Sequence, residues 1–222
     1  LLACSGYDEI SLSSLSTSDF SGLRDLTDGL LKITEEKKIG LSLPSLRIDN
    51  FSLELMEKVQ KVRKTGITFA PEAGTQRLRD VINKNINEED IINSTNMLFR
   101  GGWTNVKLYF MIGLPTETMD DVCGIADLAQ KVLEVYFAIP KEERAKQINI
   151  TVSTSSFVPK PFTAFQWAKQ DTRDMLIEKQ NTLKSAIKSK RIRYNWHDNK
   201  TSYLEGVFAR GDRRLSEVII KA

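Results

Sequence analysis

Residues 66–84 read GITFAPEAGTQRLRDVINK, and this stretch contains the repeating unit of the whole fold. Ile67 to Ala70 form an apolar run of the length of a buried strand, and Pro71 ends it. Thr75 is suited to cap the helix that follows. Glu72 therefore lies at the carboxyl end of the strand, which is the edge where α/β proteins bind their ligands.

The same order of strand and helix recurs on both sides of this stretch. Five strands are predicted, at Ile10 to Ser13, Gly40 to Leu43, Ile67 to Ala70, Val106 to Ile112 and Ile148 to Ser153. Apolar residues recur at helical spacing between them, over 20–31, 55–62, 78–82, 91–99 and 122–133. Because parallel strands need crossover helices, the alternation predicts an α/β fold, a partial (β/α) barrel with parallel strands.

Residues 1–168 are assigned to this barrel, and residues 169–222 to a mainly helical extension packed on it. The extension reads as a helix from about 171, an extended piece from Ile192 to Trp196 and two short helices. Its stretch 179–222 carries eleven Lys and Arg against four Asp and Glu. A basic surface of this kind can contact RNA, although a solvated helical face is its more usual meaning.

The composition is that of a globular domain, and it argues against a membrane-spanning helix and a metal site within the chain. The chain has 222 residues, of which 41% are hydrophobic and 27% charged, as in ordinary globular domains. No run reaches the ~20 apolar residues of a membrane-spanning helix, so we expect no membrane partner and a cytoplasmic location. His197 is the sole histidine, and Cys4 and Cys123 lie far apart, so no metal ligands are predicted within the chain.

Two further stretches add candidates at the same edge of the sheet. Residues 107–118, KLYFMIGLPTET, run from a strand into Gly113, which lets a flat ligand approach the backbone. Residues 155–167, SSFVPKPFTAFQW, follow the next strand, and Phe157 or Val158 could cover a ring. Candidates for choosing the substrate at this mouth are Ser45, Arg47, Ser153 and Lys160.

Taken together and in order, these stretches resemble radical S-adenosylmethionine enzymes. The resemblance extends over nearly the whole chain, through GYDEISLSSLSTSD, LSLPSLRID, TFAPEAGTQRLRDVINK, KLYFMIGLPTET, SSFVPKPFTAFQW, YNWHD and FARGDRRLSEVI. Within the family, it points to an uncharacterised bacterial branch in which a cobalamin-binding-type domain usually precedes the radical domain. The combination of stretches is specific, whereas each alone is common.

The resemblance implies a set of residues that bind the cofactor. Ser13, Ser14 and Leu15 take the place of a segment that binds the methionine amino group, where Gly-Gly-Glu is usual. Glu72 corresponds to a residue that contacts the ribose or the amino-acid part, and Lys84 to a basic residue, more commonly arginine, that pairs with the methionine carboxylate. The positions near the adenine are Met111, Ile112, Gly113, Phe157 and Val158.

The family's Cys-x-x-x-Cys-x-x-Cys loop, whose thiolates hold a 4Fe-4S cluster, is absent from this chain. Neither Cys4 nor Cys123 can replace it. We therefore expect a truncated polypeptide that begins one βα unit into the barrel and is inactive by itself. The intact protein is expected to be a radical iron–sulfur oxidoreductase that cleaves S-adenosylmethionine to a 5′-deoxyadenosyl radical acting on an unknown substrate, with cobalamin as a possible further cofactor.

Two other interpretations remain open. A barrel that naturally lacks the cluster could serve as a binding or interaction module, with the basic carboxyl-terminal region contacting RNA or an acidic partner. A hydrolytic or isomerising barrel could use Glu72 as general base and Lys84 as electrophile, but no second acid or base supports it.

Overall fold

The computed structural model describes residues 5–12, 20–42, 66–145 and 147–222. Its strands are β1 (Glu9–Ser11), β2 (Gly40–Ser42), β3 (Ile67–Glu72), β4 (Asn105–Ile112), β5 (Asn149–Ser156) and β6 (Ile192–Trp196). Its helices are α1 (Leu23–Glu36), α2 (Gln76–Val81), α3 (Glu88–Arg100), α4 (Met119–Ala138), α5 (Arg173–Ala186), α6 (Asn199–Arg210) and α7 (Leu215–Lys221). No helix in these ranges combines the length and the apolarity needed to cross a bilayer.

All strand pairs in the described part of the chain are parallel. β1 pairs with β2, and the other four strands form a sheet in the order β3-β4-β5-β6. Consecutive strands are therefore neighbours, and their carboxyl ends meet at one edge. This is the arrangement expected of a partial (β/α) barrel, and it confirms the α/β prediction.

The four-stranded sheet buries one face and leaves the other more exposed. In β4, Val106, Leu108, Phe110 and Ile112 are buried, and they join residues of α3, α4 and α5 in the main core. The alternating residues point the other way, as the twofold period of a strand requires. We call this second side the open face; it carries Thr68, Ala70, Lys107, Tyr109, Met111, Thr151, Ser153, Ser155, Arg193 and Asn195.

All five predicted strands are present, although the ends predicted at Ser13 and Leu43 and the helix predicted over 55–62 lie outside the described residues. The prediction that Pro71 ends its strand is wrong, because β3 continues past a bulge to Glu72, which still pairs with Phe110 of β4. The extended piece Ile192 to Trp196 is more than a connector. It is β6, and its Ile192 pairs with Ile150 of β5. The sheet therefore continues into the segment assigned to the helical extension, and the division at residue 168 remains a prediction.

Candidate functional site

Glu72 and Lys84 meet at the carboxyl end of β3. Between Phe69 and Glu72 the strand holds one residue more than the facing stretch of β4, and this bulge changes the direction of the chain. Glu72 adopts a φ of 68°, in the left-handed region that few non-glycine residues use. Its Oε1 lies 3.5 Å from Nζ of Lys84, and the two side chains are 27% and 32% exposed. Burial raises the pKa of Glu72, and Lys84 offsets this only in part.

The loop after β3 is pressed against helix α4. A Cβ atom at Gly74 would lie 2.3 Å from the carbonyl oxygen of Asp121 and 2.4 Å from the amide nitrogen of Ile125, so only glycine fits. Thr75 caps α2 and also donates a hydrogen bond to the Asp121 carboxylate, which Arg77 contacts from the same side. These contacts fix the loop that follows Glu72 to the amino end of α4.

Arg79 links the two members of the charged pair. Its side chain is fully buried, and Nη1 donates to the carbonyl oxygens of Ala73, at 2.9 Å, and Gly74, at 3.4 Å. Its own carbonyl oxygen accepts the amide N–H of Lys84 at 2.8 Å. Arg79 was not predicted to be a functional residue, because an arginine on a short helix ordinarily faces solvent.

The loop after β4 is also fixed by hydrogen bonds. Gly113 has a φ of 82°, and its N–H donates to Glu117 Oε2 at 2.7 Å. Met111 points to the open face and is partly buried, whereas the side chain of Ile112 lies fully buried in the main core. The side chain of Ile112 therefore packs the fold, and its carbonyl oxygen accepts the N–H of Phe157 at 2.8 Å.

Beneath this loop lies a buried charged triad of Glu117, Lys179 and Asp171. Lys179 Nζ is 2.7 Å from each of the two carboxylates, and its side chain is 8% exposed. Burial opposes the charged amine, but hydrogen bonds to Asp171 and Glu117 outweigh it and raise the pKa of Lys179. Burial raises the pKa of Glu117 despite these bonds. The triad thus ties the β4–α4 loop to α5, beside a cleft of about 540 Å³.

Phe157 and Val158 are both 8% exposed. Phe157 joins Ala73, Leu78 and Leu114 in a small apolar cluster, against which Met111 and Phe165 pack. The cluster joins the ends of β3, β4 and β5. The structure therefore brings Glu72, Lys84, Met111, Gly113, Phe157 and Val158 to one edge of the sheet, while Ser13, Ser14, Leu15, Ser45 and Arg47 lie outside the described residues.

The residues at this edge fit the organic part of S-adenosylmethionine. The methionine end carries an ammonium and a carboxylate group, which the partly exposed pair of Glu72 and Lys84 matches in charge. Ser156 lies beside Ile112 and on the core side of β5, so its buried Oγ, which makes no hydrogen bond within the described part of the chain, points away from the open face.

The residues do not fit the iron–sulfur cluster. In the ranges that the structure describes, no three His, Cys, Asp or Glu side chains gather as metal ligands. The whole sequence has two cysteines, one fewer than the three-thiolate loop needs, and Cys123 lies on α4 as a free thiol. Any cluster must therefore take its ligands from outside this chain.

Comparison with known proteins gives three findings. The sequence profile of the "Radical SAM superfamily" matches residues 3–129. An uncharacterized protein of Methanocaldococcus jannaschii is 32% identical over 96% of this chain, and the chain spans 43% of that relative's length. A structure of Methanocaldococcus infernus Elp3 lacking its amino-terminal residues 1–46 superposes with a TM-score of 0.59 at 15% identity, covering 94% of this chain and 57% of that one. This last likeness shows the fold alone.

Proposed function

The chain belongs to the Radical SAM superfamily, and on that premise we propose that it forms part of an iron–sulfur enzyme that cleaves S-adenosylmethionine reductively. A 4Fe-4S cluster, held by ligands outside this chain, would supply the one electron that this cleavage needs; the products of the cleavage are methionine and a 5′-deoxyadenosyl radical. The role of this chain is to bind and orient S-adenosylmethionine. The electron comes from a one-electron reductant of the cell, which suits a cytoplasmic enzyme.

The observation that supports this proposal best is the pair of Glu72 and Lys84. In the free chain each group is the other's partner at 3.5 Å, which is a loose contact for an ion pair. A bound amino-acid end offers Lys84 a carboxylate and Glu72 an ammonium or a ribose hydroxyl. Because burial raises the pKa of Glu72, a further cation close to it would stabilise its charged form.

The remaining residues of the edge orient the ring system. Gly113 is held at a positive φ while its N–H donates to Glu117, and an added Cβ there would lie 3.2 Å from the Asp171 carboxylate and 3.3 Å from Leu176, so glycine keeps this turn close to α5. Met111 offers a partly buried thioether on the open face. Phe157 packs edge-on against Phe165, with ring centroids 6.2 Å apart, and this contact fixes the apolar wall.

Part of the site lies elsewhere. The residues Ser13, Ser14 and Leu15 remain proposed contacts of the methionine amino group on the strength of the resemblance. The cluster ligands, and cobalamin if the enzyme uses it, belong to polypeptide outside this chain.

The test is the affinity of the reconstituted full-length protein for S-adenosylmethionine. Glu72→Gln and Lys84→Gln should each weaken binding at least tenfold, because a hydrogen bond to a charged group contributes roughly 1.5–3 kcal/mol. Lys131→Gln is the matched control, since Lys131 pairs with Glu88 on the surface at 2.6 Å. Unchanged affinity in both site variants would remove the pair from the cofactor site.

A second candidate function is contact with single-stranded RNA. Phe162 and Trp167, on the loop between β5 and α5, are 99% and 88% exposed. Arg210 holds this loop by donating to the carbonyl oxygens of Gln166, at 3.1 Å, and Ala168, at 2.8 Å. Exposed aromatic rings on a fixed loop next to a basic region are what base stacking and phosphate binding require.

Fluorescence anisotropy with a labelled single-stranded RNA tests this second candidate. Phe162→Ala and Trp167→Ala should each weaken binding about tenfold, since stacking one base contributes roughly 1–3 kcal/mol. Tyr7→Ala is the control, because Tyr7 is also 74% exposed but lies on the amino-terminal segment before β1. Equal affinity of all three variants and the unchanged protein would exclude an RNA platform on this loop.

A further inference from the structure

The open face of the sheet carries two positive charges in one row. The strand register places Thr68 beside Lys107, Lys107 beside Thr151, and Thr151 beside Arg193. The row therefore crosses all four strands, with the two cations on either side of a hydroxyl. Adjacent strands lie about 4.8 Å apart, so the Cα atoms of the two cations are roughly 10 Å apart, within reach of one small anion above Thr151.

Like several other cations of the described residues, these two have no carboxylate partner. Within the described residues, Lys84, Lys131, Lys160 and Lys179 each contact a carboxylate, whereas Lys107 and Arg193 contact none. Lys107 instead lies 4.5 Å above the ring of Tyr109, which directs its amine over the open face. Two unpaired cations on one face of a sheet favour binding of an anion.

The next row fits a polar ligand as well. Tyr109, Ser153 and Asn195 are register neighbours, and Tyr109 is 36% exposed. They provide hydroxyl and amide groups that can donate and accept hydrogen bonds. Ser153 was predicted to help choose the substrate, and the register puts it in this row, one step nearer the cofactor edge than Thr151.

We propose that Lys107 and Arg193 bind an anionic group, a phosphate or a carboxylate, of a small substrate that lies along the open face. This inference rests on the proposed function, because the radical formed at the cofactor edge determines which end of the substrate must lie there. Lys107 lies four residues before Met111, so the anion would sit roughly 13 Å below the cofactor edge at 3.3 Å per residue. The substrate would be long enough to reach from that anion, past Tyr109 and Ser153, to the radical.

The first test uses the unchanged full-length protein without cofactor, so that its failure is independent of cofactor cleavage. Acetylation of Lys107 by an amine-reactive ester is followed by mass spectrometry, with and without saturating inorganic phosphate or malonate. We expect the anion to slow the labelling of Lys107 several-fold. Lys141 is the internal control, because it is exposed and has no carboxylate contact in the described part of the chain; its labelling should not change.

The second test uses variants and calorimetric titration with the same two anions. Lys107→Gln combined with Arg193→Gln should weaken anion binding at least tenfold. Lys141→Gln combined with Arg213→Gln removes the same charge at exposed positions away from the sheet and should bind like the unchanged protein. Phosphate binding alone assigns a phosphate substrate, and malonate binding alone a carboxylate. Equal labelling of Lys107 with and without either anion, or equal affinity of both double variants, would overturn the proposal.

Discussion

Replacing Asp121 by asparagine should loosen the loop that follows Glu72. The Asp121 carboxylate is hydrogen-bonded both to residues after this loop and to the amino end of α4, so it joins the two. The Asp121 side chain is 3% exposed. It accepts hydrogen bonds from Thr75 and Arg77 of the β3–α2 loop and helix, and from both the N–H and the hydroxyl of Thr118, each at 2.8 Å. An asparagine keeps the shape but loses the charge and one acceptor.

The size of the effect follows from the pKa of Asp121. Burial by itself would raise this pKa, but the hydrogen bonds from Thr75, Thr118 and Arg77 outweigh it and lower the pKa from 3.8 to about 2. A pKa difference of this size between the unfolded and the folded chain corresponds to about 2 kcal/mol of stability at pH 7, at about 1.36 kcal/mol per pKa unit. Because the folded pKa is depressed, this stability is fully present above the unfolded value and is lost as the pH falls toward 2.

The assay is urea unfolding of the unchanged protein and Asp121→Asn at pH 7 and pH 3. The unchanged protein should be more stable by about 2 kcal/mol at pH 7 and by roughly half as much at pH 3, because at pH 3 the Asp121 carboxyl is mostly protonated in the unfolded chain but still mostly ionised in the folded one. Glu134→Gln is the control, because Glu134 is an exposed acid on the same helix, bonded to Gln130. A difference that is the same at both values of pH would refute the role of the Asp121 charge.

Three further changes test the contacts that position the site. Gly74→Ala should destabilise the fold by about 1–3 kcal/mol because its Cβ meets the backbone of α4, whereas Gly29→Ala, which meets nothing within 4 Å on α1, should stabilise it slightly in thermal unfolding. Lys179→Met should lower the free energy of unfolding, measured with urea at pH 7, by about 3–5 kcal/mol, because the carboxylates of Glu117 and Asp171 lose their cation. In the unchanged protein, the stabilisation that comes from the raised pKa of Lys179 should be fully present below the ordinary lysine pKa and be lost as the pH rises above it. Arg79→Met should weaken binding of S-adenosylmethionine more than the exposed control Arg100→Met, through the freed carbonyl of Ala73. Stabilities or affinities equal to those of the controls would contradict each expectation.

The strands were predictable because their patterns are local. The alternation from Val106 to Ile112 and the apolar run at Ile67 report burial directly, and both are strands. The cap at Thr75 was likewise predictable, since the hydroxyl accepts the N–H of Leu78 three residues later. Local chemistry of this kind needs no knowledge of partners.

Contacts distant in sequence were not predictable. Lys179 lies 62 residues from Glu117, and no spacing rule connects them. The bulge before Glu72 depends on how β3 pairs with β4, and the burial of Arg79 depends on a loop that accepts its hydrogen bonds. The extended piece Ile192 to Trp196 was predicted, but its place in the sheet was not, because an alternating pattern indicates a half-buried strand and not which strand it pairs with.

The most direct test of the account is the fate of S-adenosylmethionine in the reconstituted full-length protein. With a cluster formed anaerobically and a strong reductant added, the protein should release 5′-deoxyadenosine and methionine, and Glu72→Gln should release less of both. A protein that forms the cluster and binds S-adenosylmethionine, yet never releases 5′-deoxyadenosine under reduction, would contradict the proposed reaction.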